Sequence, residues 1–258
     1  MEEIKKHTGY HRVPFMFTFV DTLNQSETLR IIEDRIRARE TTQHVVINAG
    51  KICLMRKDKV LCDIVNNCPI INADGQSIVW ASHFLGHRLP ERVAGVDLME
   101  KLIELAAGKG FSVYFFGATE DVVVRVKEFY EKKYPALKVA GYRNGYFKPE
   151  DDEEIIKNML ESKADILFVG FSSPKKEYWI RDHIDKVNIP FMMGVGGSFD
   201  TVIGHVKRAP MWMQKIGMEW FYRFIKEPRR MFRRYMIGNF QFIGMVLKHK
   251  FSGKQGGV

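Results

Sequence analysis

Cysteine is scarce in this 258-residue chain, and its three residues are not spaced to hold a metal or a set of disulfides. Cys53, Cys62 and Cys68 contain no CxxC pair, and no cluster of histidines accompanies them. This spacing excludes a disulfide-stabilised scaffold and a zinc module, so ordinary core or surface thiols are expected.

The sequence also lacks a hydrophobic run long enough to cross a bilayer. Its main uncharged run near the carboxyl terminus has thirteen residues, 235–247. A helix of that length rises only about 20 Å against a hydrocarbon core of roughly 30 Å, so the run does not span but can lie in the interface. The amino terminus, MEEIKKHTGYHR, has no apolar signal-peptide core, which predicts a cytoplasmic protein.

Several catalytic and nucleotide-binding signatures are missing as well. The GVGG run at 194–197 is followed by SFD and does not complete a GxGxxG turn, which disfavours a nicotinamide enzyme. A Walker-type phosphate loop is absent, and no Tyr-x-x-x-Lys dyad lies in a site-like place, which disfavours a nucleotide-sugar epimerase. No Asp-x-Asp pair lies at a strand end, so neither a metal nor a cofactor is expected to hold the nucleotide.

Basic charge is concentrated at one end of the chain. Residues 207–258 contain 12 Lys and Arg against Glu219 and Glu227, which leaves 28 basic and 29 acidic side chains in residues 1–206. The net charge of +9 is therefore a property of this tail and indicates one localised anionic partner. A membrane and a diphosphate both fit. Nucleic acid is disfavoured, because zinc-finger spacing, an RNP-like strand and a recognition helix are all missing.

The densest part of the tail, residues 208–235, contains six arginines and is predicted to form a helical hairpin. Its arginines either grasp phosphate or form a solvated face. The apolar side chains have two interpretations: they anchor the tail at a membrane surface, or they pack it onto the body. The aromatic residues concerned are Trp212, Trp220, Phe221, Phe224, Phe232 and Phe240.

In residues 1–206, apolar runs alternate with amphipathic stretches, which predicts one α/β domain with a parallel sheet and crossover helices; residues 207–258 form an appendage. Asn24 and Glu27 resemble a capping box at the first helix. Strands are predicted near residues 15–20, 44–47, 70–72, 112–116, 138–140, 166–169 and 191–193. The clearest helices are predicted at 24–39, 96–107, 121–134, 152–161 and 175–185.

Many of the predicted strands end in small or polar residues. In an open parallel sheet such ends lie along one edge, where ligands bind and where glycine lets backbone N–H groups approach a phosphate. The pattern predicts a nucleotide site, although each glycine alone also suits an ordinary turn. The ends are NAG at 48–50, ADG at 73–75, GA at 117–118, GFSS at 170–173 and GVGGS at 194–198.

Carboxylates at these ends have two interpretations. Asp74 follows an apolar strand and precedes a helix-like run, so it suits either a helix N-cap or a general base that accepts a proton from an attacking hydroxyl. Asp200 is open to the same two interpretations. The acidic run at 150–154 follows Pro149 and is interpreted as the first turn of a helix, where negative charge suits the dipole, and not as a metal site.

A series of motifs runs along the chain from about residue 20 to residue 242. They are NAGK at 48–51, NADG at 72–75, RVAG at 92–95, GFSSPKKE at 170–177, GVG at 194–196 with FD at 199–200, RAP at 208–210, GMEW at 217–220, EP at 227–228 and RRY at 233–235. In this order they resemble the WecG/TagA/CpsF glycosyltransferase family. The resemblance implies a Rossmann-like, doubly wound α/β core with a helical C-terminal appendage that docks at the membrane.

Known members of this family transfer a sugar from a UDP donor, often N-acetylmannosamine or its uronic acid, to a polyprenyl-diphosphate-linked saccharide in teichoic acid, common-antigen or capsule synthesis. The resemblance therefore implies an inverting, metal-independent hexosyltransferase at the inner face of the cell membrane. Its implied partners are a UDP-sugar, the lipid-linked acceptor and an anionic membrane; a homo-oligomer is left open. The alternative is a non-catalytic membrane-associated scaffold that binds nucleotide-sugars, against which Asp74 and Arg92 argue.

Position by position, the resemblance makes Asp74 the general base, with Asn48 and Arg92 in the same pocket. Asp200 matches an acidic position of the family's GVGxxFD motif, which implies a place in the donor pocket.

The resemblance also implies how the diphosphates are held. Backbone amides of the loop containing Gly194 and Gly196 are expected to bind the donor. Arg223, Arg230 and Arg233 match arginines that cover the active site, and forked guanidinium groups suit phosphate oxygens.

Two positions depart from the family's usual pattern. Val46 stands where the family usually has threonine, which removes a hydroxyl from the expected pocket. Lys176 stands where the family usually has glutamine, which adds a cation that either favours an acidic donor sugar or pairs with the donor phosphates.

Overall fold

The computed structural model describes residues 10–215, 217–226, 228 and 238–252. Its first elements are β1 (Arg12–Phe15) and β2 (Thr18–Asp21), which form an antiparallel hairpin. The single strand predicted for residues 15–20 is therefore wrong. The chain reverses at Met16 and Phe17, and the φ angle of 57° at Met16 is incompatible with an extended strand.

A six-stranded sheet forms the centre of the molecule, and every neighbouring pair of its strands is parallel. Its strands are β3 (Thr42–Ile47), β4 (Ile70–Ala73), β5 (Ser112–Gly117), β6 (Lys138–Arg143), β7 (Ile166–Gly170) and β8 (Phe191–Gly194). All six strands predicted after residue 40 are therefore confirmed, with small differences at their ends. They lie side by side in the order β4-β3-β8-β7-β5-β6.

Helices connect the strands and cover the sheet. The helices in the described part of the chain are α1 (Gln25–Arg37), α2 (Ala49–Met55), α3 (Lys59–Asn66), α4 (Gln76–Leu85), α5 (Gly95–Lys109), α6 (Glu120–Lys133), α7 (Asp152–Ser162), α8 (Lys175–Val187), α9 (Ser198–Val202), α10 (Met211–Lys215), α11 (Glu219–Lys226) and α12 (Gly238–Phe251). The five clearest predicted helices are confirmed as α1, α5, α6, α7 and α8, and Asn24 and Glu27 form the predicted capping box. The acidic run at 150–154 lies, as predicted, at the start of α7, where the short 3-10 turn Pro149–Asp151 leads into the helix.

Both faces of the sheet are buried, as the Rossmann-like fold class predicted. Successive strand residues point to opposite faces, so Phe115 and Phe168 pack with α1, α5 and α6, whereas Phe116 and Val169 pack with α7 and α8. The second face continues over β3 and β4, where the hairpin, α2, α3, α4 and α12 complete a further cluster. This double cover leaves the carboxyl ends of the strands as the edge available to ligands.

An ion pair attaches the start of the C-terminal segment to the α/β domain predicted for residues 1–206. The Arg208 guanidinium lies 2.5 Å from the Asp97 carboxylate and donates to the Gln214 side chain across 2.7 Å. Gly217, with φ of 75°, then fits closely against α4, because a Cβ at this position would lie 2.7 Å from the Cβ of Gln76.

Helix α12 returns to the body and joins its core. Phe242, Met245 and Val246 are buried, and the Phe242 ring stacks on Phe15 with 6.4 Å between centroids. By contrast, four of the aromatic residues singled out in the sequence are exposed, namely Trp212, Trp220, Phe221 and Phe240, and Phe232 lies outside the described residues. Packing and surface exposure are therefore divided between different apolar side chains. In the described part of the chain, no helix has both the length and the apolar character needed to cross a bilayer.

Candidate active site

The carboxyl ends of β3 and β4 bring two candidate residues together. Ile47 and Ala73 are partners in the parallel ladder, so Asn48 and Asp74 follow as neighbours at the sheet edge. The Asp74 N–H donates to the Ile47 carbonyl across 2.8 Å. The Asn48 side chain accepts a hydrogen bond from the Lys51 N–H at 3.0 Å and thereby caps α2. The backbone is thus fixed on both sides of the edge.

Helix α4 starts two residues after Asp74, and its N-cap position falls on Gly75. Gly75 has φ of 122°, a conformation that favours glycine, and it offers no side chain for capping. The N-cap interpretation of Asp74 is therefore wrong. The carboxylate instead lines a cavity of about 590 Å³ at the sheet edge.

Asn48 and Arg92 line the same cavity, so the structure brings three of the predicted site residues together. Arg92 reaches it because the Val93 N–H donates to the carbonyl that precedes Asp74, across 2.8 Å. The Arg92 guanidinium lies 3.3 Å from the carboxylate of Glu219 on α11, and both side chains are largely buried. The C-terminal segment therefore supplies one wall of the cavity.

A second charged cluster lies where α8 begins, beside the ends of β7 and β8. Lys176 is buried, its ammonium lies 2.9 Å from the Glu177 carboxylate, and it donates to the Ser173 hydroxyl. The Lys51 ammonium lies 2.6 Å from the same Glu177 oxygen, and this pair is also buried. One carboxylate is therefore shared by two ammonium groups, which leaves the cluster with a net positive charge.

Burial and the nearby Lys51 lower the pKa of Lys176 to about 8, although the carboxylates of Glu177 and Asp74 oppose the shift. Burial alone would raise the pKa of Glu177, but Lys51 and Lys176 together lower it to about 2. The charge of Asp74 therefore reaches Lys176, although the positive cluster does not line the cavity that contains Asp74.

Gly194 makes room for this lysine. A Cβ at position 194 would lie 2.5 Å from Cδ of Lys176, so any other residue would force the lysine side chain away from its present path across the end of β8. Gly196, two residues later, has φ of 58° and turns the chain. Donor binding by backbone amides of Gly194 and Gly196 stays a prediction.

The remaining predicted site residues either do not line the cavity that contains Asp74 or lie outside the described residues. Asp200 is on α9, where its partly exposed carboxylate lies 3.7 Å from the His205 ring, and it does not line the cavity. Its place in the donor pocket stays a prediction. Arg223 belongs to α11, but its side chain lies outside the described residues, as do Arg230 and Arg233.

Sequence reasoning gave no role to Lys51, Glu177 or Glu219. Lys51 and Glu177 are 126 residues apart, so no local pattern could pair them, although both stand inside motifs that carried the resemblance. Val46 is buried in β3 and does not line the cavity described here, in contrast to the pocket position expected for it. Within the described ranges, no group of three or more His, Cys, Asp or Glu is placed to hold a metal ion.

Comparison with known proteins assigns the chain to a family. The family model described as "Glycosyl transferase WecG/TagA/CpsF family" matches residues 13–256. The chain belongs to this glycosyltransferase family. A similar protein, the N-acetylglucosaminyldiphosphoundecaprenol N-acetyl-beta-D-mannosaminyltransferase of Bacillus subtilis (strain 168), is 32% identical over 224 residues, which cover 85% of this chain and 84% of the relative. The family resemblance and the glycosyltransferase function predicted from the motifs are confirmed.

Proposed function

We propose that the chain is an inverting hexosyltransferase that moves N-acetylmannosamine, or a closely related sugar, from a UDP-sugar to a saccharide linked to a polyprenyl diphosphate. The observation that carries this proposal is that Asn48, Asp74 and Arg92 line the same cavity. The name of the B. subtilis relative supports the type of sugar and of acceptor.

Asp74 acts as the general base in this proposal. Its carboxylate takes the proton of an acceptor hydroxyl while that oxygen attacks the anomeric carbon of the donor sugar. The bond from the anomeric carbon to the diphosphate oxygen breaks, and UDP leaves with the bonding electrons. Because the nucleophile enters opposite the leaving group, the anomeric configuration inverts. Asn48 and Arg92 hydrogen-bond the sugars that meet in the cavity.

The leaving diphosphate is assigned to the positive cluster beside β7 and β8. Lys176 lies at the start of α8, its side chain crosses the end of β8, and its cluster has a net positive charge. A fixed cation in a partly dry site stabilises developing charge well. Amides of Gly194 and Gly196 and the appendage arginines Arg223 and Arg230 add to this role. These amides and arginines, together with Arg233, hold the diphosphate in place of a divalent cation, so the proposed reaction needs no metal.

The appendage also keeps the enzyme at its lipid-linked acceptor. Exposed Trp212 and Phe240 accompany a segment with 12 basic and two acidic residues, which suits the anionic inner face of a cell membrane. Basic residues near such a surface contribute about 1 kcal/mol each. The enzyme is accordingly a peripheral protein of that face.

A product analysis tests the proposed function. The purified full-length chain is incubated with a panel of UDP-sugars and with N-acetylglucosaminyl diphosphate carried on a short prenyl chain. Release of UDP, a product heavier by one N-acetylhexosamine, and an inverted anomeric configuration by NMR are the expected results. Binding of UDP-sugars without a product would favour the scaffold alternative, and a retained configuration would exclude the single displacement.

A further inference from the structure

The cavity that contains Asp74 has a second, apolar end. The transfer chemistry proposed above uses none of the side chains there. Helix α4 contributes Trp80, Ala81 and Phe84, and the C-terminal segment contributes Trp220, Phe242, Ile243, Val246 and Leu247. We call this end the apolar groove.

Two helices form most of the apolar groove. Trp80 and Phe84 are four residues apart on α4, and Ile243 and Leu247 are four apart on α12, so each pair shares one helix face. These four side chains remain 56%, 45%, 51% and 43% exposed. A concentration of exposed apolar surface inside a cavity, beside a few polar groups, is typical of a ligand site.

The walls of the groove are held by the protein core. Phe242 and Val246 line the groove but are themselves buried against the hairpin cluster that contains Phe15. On the other side, Gly217 packs against the side chains of Gln76 and Trp80. The groove is therefore formed before any ligand arrives, which lowers the entropic cost of binding.

We infer that the apolar groove binds the first isoprene units of the acceptor's polyprenyl chain, with the sugar at Asp74; the inference rests on the proposed function. One cavity joins the polar and apolar ends, so its ligand needs a hydrogen-bonding head and a hydrocarbon chain. The cavity volume of about 590 Å³ lies within the roughly 300–1,000 Å³ of ligand pockets, which leaves most of a long chain in the bilayer.

The outer end of the groove carries a cation. Nζ of Lys250, on the last turn of α12, lies 5.5 Å from the centroid of the Phe84 ring. A basic residue beside the exit of a hydrocarbon chain suits the anionic head groups from which that chain emerges. The charge therefore favours a membrane lipid over an apolar protein segment as the occupant.

The test compares two acceptors that share N-acetylglucosaminyl diphosphate and differ in their chain, farnesyl or butyl, in detergent solution without vesicles. For the wild-type chain, kcat/KM is expected to be at least about tenfold higher with farnesyl, because more apolar surface is buried. The substitutions Ile243→Ser and Leu247→Ser are expected to bring this ratio close to one.

Phe251→Ser is the matched control. Phe251 lies on the same helix and is 78% exposed, but it does not line the cavity, so the ratio should stay at the wild-type value. A wild-type ratio near one, or an unchanged ratio in Leu247→Ser, would overturn the inference. An equal loss in Phe251→Ser would overturn it too, since the apolar residues would then act only as a general anchor.

A binding measurement separates this inference from the proposed function. Calorimetric titration with farnesyl diphosphate and with butyl diphosphate needs no turnover, and tighter binding of farnesyl that Leu247→Ser abolishes is expected. If that is found while no UDP-sugar is transferred, the proposed function fails and the groove stands. If transfer occurs but neither ligand shows a chain-dependent affinity, the groove fails and the proposed function stands.

Discussion

The two halves of the sheet edge present opposite charges in opposite surroundings. β3 and β4 end at Asn48 and Asp74, which line an open cavity. β7 and β8 end beside the buried residues Lys176 and Glu177, and the Glu177 carboxylate pairs with both Lys176 and Lys51. Parallel strands with small or polar ends thus produce an accessible carboxylate on one side and a buried, net positive cluster on the other.

This difference matches two separate demands of a displacement reaction. A general base must reach the substrate hydroxyl, so it belongs in a cavity. A cation that stabilises a leaving diphosphate acts more strongly when it is held rigidly and away from bulk water. The substitutions below each change one half of the edge and leave the other in place, and the metal-removal experiment asks whether the positive half suffices to hold the diphosphate.

The largest effect is expected from Asp74→Asn, which keeps the shape of the side chain but cannot accept a proton. The turnover number should fall by about 10² to 10⁴, because general-base catalysis is lost, while the unfolding transition stays in place. Steady-state rates and a urea denaturation curve measure the two properties. Asp185→Asn, at an exposed position of α8, is the control and should keep full activity. Wild-type turnover in Asp74→Asn would remove Asp74 from the mechanism.

Glu177→Gln is expected to act mainly on stability. It leaves the ammonium groups of Lys51 and Lys176 buried without their carboxylate, which typically costs about 3–5 kcal/mol in the free energy of unfolding. Glu161→Gln is the matched control, since Glu161 pairs with Lys157 at 3.9 Å in an exposed position and should cost less than about 1 kcal/mol. Equal losses in the two variants would show that the buried cluster contributes no more than a surface pair.

The pH dependence of this effect has a definite sign. The pKa of Glu177 is lowered to about 2 in the folded chain, so its contribution is complete above the usual carboxyl pKa and is lost as the pH falls towards 2. The difference between wild type and Glu177→Gln should therefore shrink on acidification. A difference that stays constant down to pH 3 would contradict the assignment.

The affinity for the UDP-sugar should fall at alkaline pH because Lys176 loses its proton, and this fall is the alkaline limb of the pH profile. With a pKa of about 8, its ammonium is charged at pH 7 and mostly neutral at pH 9, so KM for the UDP-sugar should rise about tenfold over this interval. Lys176→Gln should remove the limb and show a high KM throughout. Lys175→Gln, at the exposed neighbouring position, should keep it. A flat KM profile in the wild type would separate Lys176 from the donor diphosphate.

The smallest effect is expected from removal of divalent cations. If the positive half of the edge holds the diphosphate, transfer in excess EDTA should proceed at the untreated rate. Activity that disappears in EDTA and returns with magnesium or manganese would contradict this. The rate of UDP release is the measurement.

Local patterns explain which features could be predicted. The alternation of apolar runs with amphipathic stretches located six strands and five helices, because burial on both faces of a parallel sheet leaves a strong sequence signal. The hairpin at residues 12–21 was missed, since the reversal at Met16 has no glycine or proline to mark it. Helices α2 and α3, of seven and eight residues, are too short to show a clear helical period.

The sequence by itself determined the fold class, the family and the polar ends of the strands, because these depend on residues close together along the chain. Only the tertiary structure decided which ends work together. The register of β3 with β4 placed Asn48 beside Asp74, and the packing of α8 buried Lys176 beneath Gly194. The return of α12 to the core formed the apolar groove. These contacts depend on packing between residues that are distant in sequence, and no local sequence pattern encodes such packing.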